Sequence, residues 1–247
     1  MEPVAEPRLP DRRVRAVLLS GEYPVFAEKL NALGIETLLT GREERLPAPV
    51  AYHPDMQFCP VSPTAQFVLR GNPLRHELER YGISAKETVL EPASSYPGDT
   101  ICNALAFGGK LLARMDTADP AIRLAADKMG YRLLSVRQGY AACSVCLVSR
   151  NAAITADRGI GNVLRSQGIE VLTIRPGGIR LPGYDSGFIG GCCGLIDCQK
   201  MVFTGALGSH PDGEQMKEFL SRHGVSVMEL SGEMLLDVGG IIPLALE

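Results

Sequence analysis

One short segment of the chain places acid–base and thiol side chains at alternate positions. The alternating polar residues are His53, Asp55, Gln57 and Cys59. Because successive side chains of a strand point to opposite faces, the pattern predicts a strand with one polar face. An imidazole beside a carboxylate is suited to moving protons, so His53 is our candidate catalytic acid or base.

Aspartates recur before the other apolar runs of the chain. The candidate ligand-binding carboxylates are Asp55, Asp99, Asp185 and Asp237. If those runs surround one axis, the carboxylates face a common centre, where they repel each other unless a cation or protons are bound. A planar guanidinium suits such a centre because a carboxylate can accept two parallel hydrogen bonds from it. We therefore expect a small cationic ligand in an axial pore, with Tyr184 lining the site. The alternative is that the aspartates cap turns.

The seven cysteines give the candidate nucleophiles. We take the adjacent pair Cys192 and Cys193 as the first candidates, with Cys59 and Cys102 as others. The spacing of Cys143 and Cys146 is also found in zinc sites, but three residues apart on a strand they would face opposite sides. We expect no metal site and no cofactor. The runs that hold these cysteines contain no lysine or arginine, so we expect slow reaction with iodoacetamide and no adduct with haloacetamidine probes.

The elements that position these residues are indicated by an internal repeat. Five helical patterns each end in a glycine that an apolar, strand-like run follows, and the glycines are Gly34, Gly82, Gly130, Gly168 and Gly224. Glycine at that place is typical of a helix C-terminus. Asn72-Pro73 and Asp119-Pro120 are helix-start signals. Regular spacing over the whole length favours a single domain, residues 1–247, made of five αβ units, over an ordinary α/β sandwich.

Four of the five units also contain two further strand-like runs that predict a hairpin. The predicted hairpins pair 53–59 with 65–69, 99–107 with 110–115, 140–149 with 152–155, and 187–196 with 201–205. The last unit has only the run 235–244. We expect its partner to be the N-terminal strand 14–20, which would close the units into a ring.

Composition excludes several classes of function. The 247 residues are 45% hydrophobic and carry a formal net charge of −3. No dense basic cluster follows the N-terminal arm, so we expect no nucleic-acid partner. No apolar run has the roughly 18 residues that span a membrane, so we expect none as a partner. The odd cysteine count is unlike a secreted disulfide framework, and we expect a cytoplasmic protein. The oligomeric state stays open.

Five ββαβ repeats over this length resemble the pentein fold, the five-fold α/β propeller of guanidino-group-modifying enzymes. Gly187-Phe-Ile-Gly-Gly191 with its following hairpin resembles the Gly-Gly strand of amidinotransferases and dimethylarginine hydrolases, and His53-Pro-Asp55 resembles their His-x-Asp strand. The whole chain is similar to an uncharacterised bacterial family assigned to that fold. The resemblance implies binding, and hydrolysis of or transfer from, a small guanidinium or amidine.

The chain departs from those enzymes at the position of the nucleophile. They carry a cysteine close to the C-terminus, whereas the last cysteine here is Cys198. Ile189 stands where they place an acid, and His53 precedes Gly191 instead of following it. Any nucleophile must therefore come from an earlier strand. Two hypotheses follow: an enzyme of the guanidino-modifying type, or a non-catalytic interaction protein of the same fold, as the pentein-fold ribosome anti-association factor illustrates.

Overall fold

The computed structural model describes residues 2–247 as sixteen strands, six α-helices and four 3-10 helices. The strands are β1 (Glu2–Pro3), β2 (Val14–Ser20), β3 (Glu36–Thr40), β4 (Phe58–Ser62), β5 (Ala65–Val68), β6 (Lys86–Glu87), β7 (Leu105–Phe107), β8 (Lys110–Ala113), β9 (Arg132–Ser135), β10 (Val145–Ser149), β11 (Ala152–Thr155), β12 (Glu170–Thr173), β13 (Cys193–Asp197), β14 (Lys200–Phe203), β15 (Ser226–Glu229) and β16 (Ile242–Leu246). The helices are α1 (Pro24–Ala32), α2 (Pro54–Gln57), α3 (Leu74–Leu78), α4 (Pro120–Lys128), α5 (Arg158–Ser166) and α6 (Gly213–Arg222). The 3-10 helices are Ala48–Val50, Glu79–Tyr81, Ile189–Cys192 and Leu207–Ser209.

The strands form five small sheets, one for each predicted repeat. In order along the chain they define unit 1 (β4, β5, β6), unit 2 (β7, β8, β9), unit 3 (β10, β11, β12), unit 4 (β13, β14, β15) and unit 5 (β16, β2, β3, with β1 at its edge). In each unit an inner strand pairs antiparallel with a middle strand, and a third strand pairs parallel to the middle one. A helix connects the two parallel strands, as a parallel pair requires. This is the expected ββαβ repeat.

The two ends of the chain complete the fifth unit. Strand β16 pairs antiparallel with β2, with Ile242 opposite Leu18. The missing hairpin partner of the last repeat is therefore the N-terminal strand, as the sequence predicts. Inner strands of neighbouring units lie side by side, β4 against β7 and β13 against both β10 and β16. The five sheets thus surround one interior, in the α/β propeller arrangement with five-fold pseudosymmetry.

Local start and stop signals form as their chemistry predicts. All five junction glycines have left-handed backbone angles, with φ between 72° and 80°. The Asp119 carboxylate accepts the Ala121 N–H at 2.8 Å, and the Asn72 side chain accepts the Leu74 N–H at 2.9 Å. Among residues 2–247, no helix is long and apolar enough to cross a membrane.

The predicted inner strands begin too early, which is a correction to the sequence interpretation. The strand predicted from Tyr140 begins at Val145, and the one predicted from Gly187 begins at Cys193. The residues in front form turns, in which for example the Ser144 N–H donates to the Tyr140 carbonyl. These turns are apolar because they are buried, and burial alone does not distinguish a turn from a strand.

Candidate functional site

A pocket of about 330 Å³ lies at the end of the ring where the inner strands begin. Turns that precede inner strands supply most of its wall. Its lining residues are Val50, His53, Tyr140, Cys143, Leu181, Tyr184, Asp185, Ser186, Phe188 and Asp237. Four of the predicted site residues therefore meet here, from units far apart in sequence: His53, Tyr184, Asp185 and Asp237.

The segment from His53 to Gln57 is not a strand, so the predicted polar face is wrong. Pro54 begins the single helical turn α2, and the Met56 N–H donates to the His53 carbonyl. Proline at the first helical position, directly after an extended residue, favours this turn. Both side chains are 1% exposed, but only the histidine lines the pocket. The aspartate lies beneath it, with its carboxyl group still within 4.8 Å of the imidazole.

Beneath the pocket, Asp55 meets a cysteine of unit 3. The Cys143 thiol donates a hydrogen bond to Asp55 Oδ2 across 2.7 Å. Burial raises the pKa of Asp55 to about 6, against the opposing charges of His53 and Arg8. Burial, together with the negative charges of Asp55 and Asp237, also raises the pKa of Cys143 well above its ordinary value. The pair therefore consists of a neutral thiol and a carboxyl group with a pKa of about 6.

Asn103, which sequence reasoning missed, holds this cysteine in place. Its amide donates to Cys143 Sγ at 3.2 Å, and its Oδ1 accepts the Ala142 N–H at 2.7 Å. A donor to the sulfur favours the thiolate, so Asn103 opposes part of the pKa rise. A lone asparagine in an apolar run was the available signal, since buried amides need partners.

His53, Asp55 and Cys143 each offer a ligand atom, and these atoms lie within 4.8 Å of one another. In a tetrahedral zinc site, bond lengths of about 2.3 Å to sulfur and 2.0 Å to oxygen would hold those two atoms roughly 3.5 Å apart. The observed separation of 2.7 Å between Cys143 Sγ and Asp55 Oδ2 is much shorter. A metal ion bound to these two atoms would therefore require the two side chains to move apart.

His53 and Asp237 lie next to each other in the pocket wall. His53 Nδ1 lies 3.8 Å from Asp237 Oδ1, and both ring nitrogens are buried without a hydrogen-bond partner in the described part of the chain. The Asp237 carboxylate is fixed by backbone N–H groups, from Phe188 at 2.8 Å and from Gly239 at 3.0 Å. A buried imidazole without partners beside a fixed carboxylate leaves two ring nitrogens free for a ligand.

The glycine motifs make room for this wall. A Cβ atom at Gly191 would overlap Asp237 Oδ1, and one at Gly239 would lie 2.5 Å from the His53 Cβ. Gly239 also has a φ of 77°, which favours glycine. The Gly187–Gly191 and Asp237–Gly240 motifs are therefore explained by close packing around two polar side chains.

We expect Gly191→Ala to destabilise the protein by about 2 kcal/mol or more, because the new methyl group displaces the Asp237 carboxylate from its backbone donors. Urea unfolding measures the change. Gly232→Ala is the matched control, since Gly232 is exposed and a Cβ there meets no atom within 4 Å. Equal stability of the two variants would contradict the packing role.

The other predicted aspartates lie at the edges of the pocket. Asp99 is buried behind the wall, where it accepts the Tyr140 hydroxyl at 2.6 Å and stays outside the pocket lining. Burial raises its pKa. Tyr140 in turn packs against Phe188, with ring centroids 5.7 Å apart. Tyr184 and Asp185 are exposed at the mouth. Their roles in ligand binding stay predictions.

The structure places Cys192 and Cys193 outside the pocket lining. Cys192 Sγ donates to the Phe188 carbonyl at 3.2 Å, and Cys193 Sγ donates to the Ile189 carbonyl at 3.4 Å. Burial raises the pKa of Cys192 well above its ordinary value. Among the cysteines of residues 2–247, Cys143 alone lines the pocket. The sequence predicted Cys192 and Cys193 as nucleophiles because they are adjacent. The turn before β10 instead brings Cys143 to the pocket.

Comparison with solved structures identifies the class of fold. An inosamine-phosphate amidinotransferase from Streptomyces griseus aligns with a TM-score of 0.56 and 13% identity, covering 99% of this chain and 98% of that one. The DDAH from Pseudomonas aeruginosa, solved with citrulline, aligns with a TM-score of 0.52 and 10% identity. The alignment covers 89% of this chain and 92% of the DDAH chain. A C. jejuni agmatine deiminase aligns with a TM-score of 0.55 and 9% identity, covering 100% of this chain and 97% of the deiminase chain. The chain has the pentein fold of guanidino-modifying enzymes.

Sequence comparison then gives the particular family. The chain belongs to a family of unknown function (DUF6873), whose model matches residues 18–242. No curated protein matches the sequence.

Proposed function

We propose that this protein binds a small guanidinium or amidinium compound in the pocket and that Cys143 attacks its central carbon. One observation carries the proposal: Cys143 is hydrogen-bonded to Asp55 and lies within 4.8 Å of His53, at the base of a pocket that Asp237 also lines. The site thus combines a nucleophile, a proton acceptor, an acid–base group and a second carboxylate. The structural neighbours whose names state a reaction act on guanidino or related groups.

Charge favours such a ligand. Two carboxylates, Asp55 and Asp237, approach the base of the pocket, and both raise the pKa of Cys143. A bound cation reverses this field, because it attracts both the carboxylates and the thiolate. A planar guanidinium can also donate to Asp237 and to a ring nitrogen of His53. Ligand binding would therefore activate the thiol that is protonated in the free protein.

The covalent step can be written with its protons balanced. The Cys143 thiol gives its proton to Asp55, and the sulfur lone pair forms an S–C bond to the guanidinium carbon, giving a neutral tetrahedral intermediate. Asp55 then passes this proton to His53, which transfers it to one nitrogen of the intermediate; the C–N bond breaks, and that nitrogen leaves as a neutral amine. The remaining amidino group stays on sulfur as an isothiouronium. Water or a second amine attacks its carbon, and the thiol is released.

The nucleophile differs from the one in the family that the sequence resembles. The C-terminal segment lacks a cysteine, and from the sequence alone we expect no haloacetamidine adduct. The pocket geometry leads us to propose the opposite for one residue, Cys143. Its unit brings the thiol to the same cavity as His53 of unit 1 and Asp237 of unit 5.

A ligand panel tests binding without assuming a reaction. We expect some guanidino or amidino compounds, present at about one hundred times their dissociation constants, to stabilise the protein by about 2.7 kcal/mol. Their neutral urea isosteres should have no effect. Melting curves of the wild type, Asp237→Asn and the exposed-site control Asp116→Asn measure the response, which the first variant should lose and the second should keep.

An unchanged melting temperature with every guanidino and amidino compound in the panel would contradict the proposal. Divalent metals belong in the same panel, because stabilisation by zinc alone would assign the three clustered ligand atoms to a metal instead. If the protein binds neither the guanidino and amidino compounds nor a divalent metal, a non-catalytic interaction protein is the better hypothesis.

A further inference from the structure

The N-terminal segment crosses the ring at the end opposite the pocket. Glu6 accepts the Gly108 N–H at 2.6 Å and pairs with Arg150. Gly108 and Arg150 lie in the turns that follow the inner strands β7 and β10. The pocket lies where inner strands begin, so these turns mark the far end. Residues on both sides of Glu6 also anchor the segment, because the Val4 N–H donates to the Leu244 carbonyl and Leu9 packs in two apolar clusters.

From this segment the side chain of Arg8 enters the interior of the ring. It lines a cavity of about 20 Å³ together with inner-strand residues, among them Val145 and Leu147 of β10. Its Nη1 would lie 3.3 Å from a Cβ atom at Gly240. Its Nη2 is buried and has no hydrogen-bond partner within residues 2–247. The guanidinium therefore lies inside the ring without a direct ion pair for that nitrogen.

The backbone of Arg8 is strained. Its φ of 63° is the one positive value at a residue other than glycine in the described chain. Side-chain-bearing residues avoid this region, and they remain there only where the surrounding structure holds them. Here the strain accompanies the insertion of a charged side chain into an apolar interior. Such an arrangement indicates a role for that charge.

The charge of Arg8 acts on the carboxyl beneath the pocket. Burial raises the pKa of Asp55 to about 6, and the positive charges of His53 and then of Arg8 limit that rise. The Cys143 hydrogen bond also favours the carboxylate, while the negative charge of Asp237 disfavours it. The buried Cys102 thiol also faces Asp55: burial raises the pKa of Cys102, and the negative charges of Cys59, Asp119 and Asp55 add to that rise. Arg8 is the fixed cation among these groups, since an arginine side chain stays protonated.

We propose that Arg8 is a positioning residue of the site: its guanidinium, inserted from the opposite end of the ring, is the internal counter-cation that keeps Asp55 a carboxylate able to accept the Cys143 proton. The proposal needs only the Asp55–Cys143 pair and no bound ligand. It can hold while the ligand panel fails, and it can fail while a guanidinium binds.

A double-mutant cycle between Arg8 and Asp55, measured as melting temperature at pH 8 and pH 4.5, tests this. At pH 8 we expect Arg8→Met to lower the melting temperature by at least about 3 °C, the shift of roughly 1 kcal/mol in a chain of this size. At pH 4.5, where Asp55 is protonated, the loss should shrink. In the Asp55→Asn background the pH-dependent part of the loss should disappear. Arg8→Lys should retain part of the wild-type stability at pH 8.

Arg15→Met is the matched control, because Arg15 is an exposed arginine on β2. It should show no coupling to Asp55 at either pH. Equal losses for Arg8→Met at both pH values and in both backgrounds would show a packing role only and overturn the proposal. If Arg8→Met does not fold, rescue by Asp55→Asn supports the counter-cation, and failure of rescue overturns it.

Discussion

In protein carrying Cys198→Ser, 2-chloroacetamidine should modify one cysteine, Cys143, and a guanidino ligand should block the reaction. Cys198 is removed because it is exposed and would label first, whereas the six other thiols are buried. The probe carries an amidinium, so the carboxylates at the base of the pocket attract it and its charge favours the Cys143 thiolate. Iodoacetamide has no charge and meets a thiol whose pKa burial has raised.

The measurement is the labelling rate, with the site located by peptide mass spectrometry. We expect the amidine to react on the order of 10²-fold faster than iodoacetamide, within the gain that a charged cleft gives an oppositely charged reactant. Cys143→Ala should abolish labelling, while Cys192→Ala and Cys193→Ala should leave it unchanged. Labelling at Cys192 or Cys193 in place of Cys143, or equal rates with both reagents, would contradict the assignment.

Asp55→Asn should remove a stability change of about 3 kcal/mol between pH 4 and pH 6. The pKa of Asp55 rises from 3.8 to about 6 on folding, and about two pKa units correspond to about 3 kcal/mol. A raised carboxyl pKa means that the folded state binds the proton more tightly. Its contribution is therefore complete below pH 3.8 and lost as the pH rises through 6. An asparagine has no proton to lose, so the stability of the variant relative to the wild type should increase from pH 4 to pH 6.

Urea unfolding across this pH range measures the difference between the two proteins, which separates titration from any constant cost of the substitution. Asp116→Asn is the control of opposite sign. Asp116 pairs with Arg114 at the surface, and that pairing lowers its pKa. Because the Asp116→Asn variant lacks this pair, its stability relative to the wild type should fall as the pH rises. Parallel curves for the wild type and Asp55→Asn would show that Asp55 does not titrate in this window.

The sequence by itself determined the repeat and the closure of the ring. Helix ends depend on local chemistry, and Gly130 or Asp119 acts through its own backbone and its nearest neighbours. The short last repeat required a partner strand, and residues 14–20 were available to supply it. Signals of this kind lie within a few residues of the element that they define, so one sequence is enough to locate them.

The tertiary structure alone decided the site. The sequence indicated His53 and Asp237, but it could not show that turns, not strands, present them, because buried turns and buried strands have the same apolar composition. Cys143, Asn103 and Arg8 come from units 2 and 3 and from the N-terminal segment, and no spacing in the sequence relates them to Asp55. Their meeting depends on the order and orientation of five sheets around one interior, which is a property of the closed ring and of no single repeat.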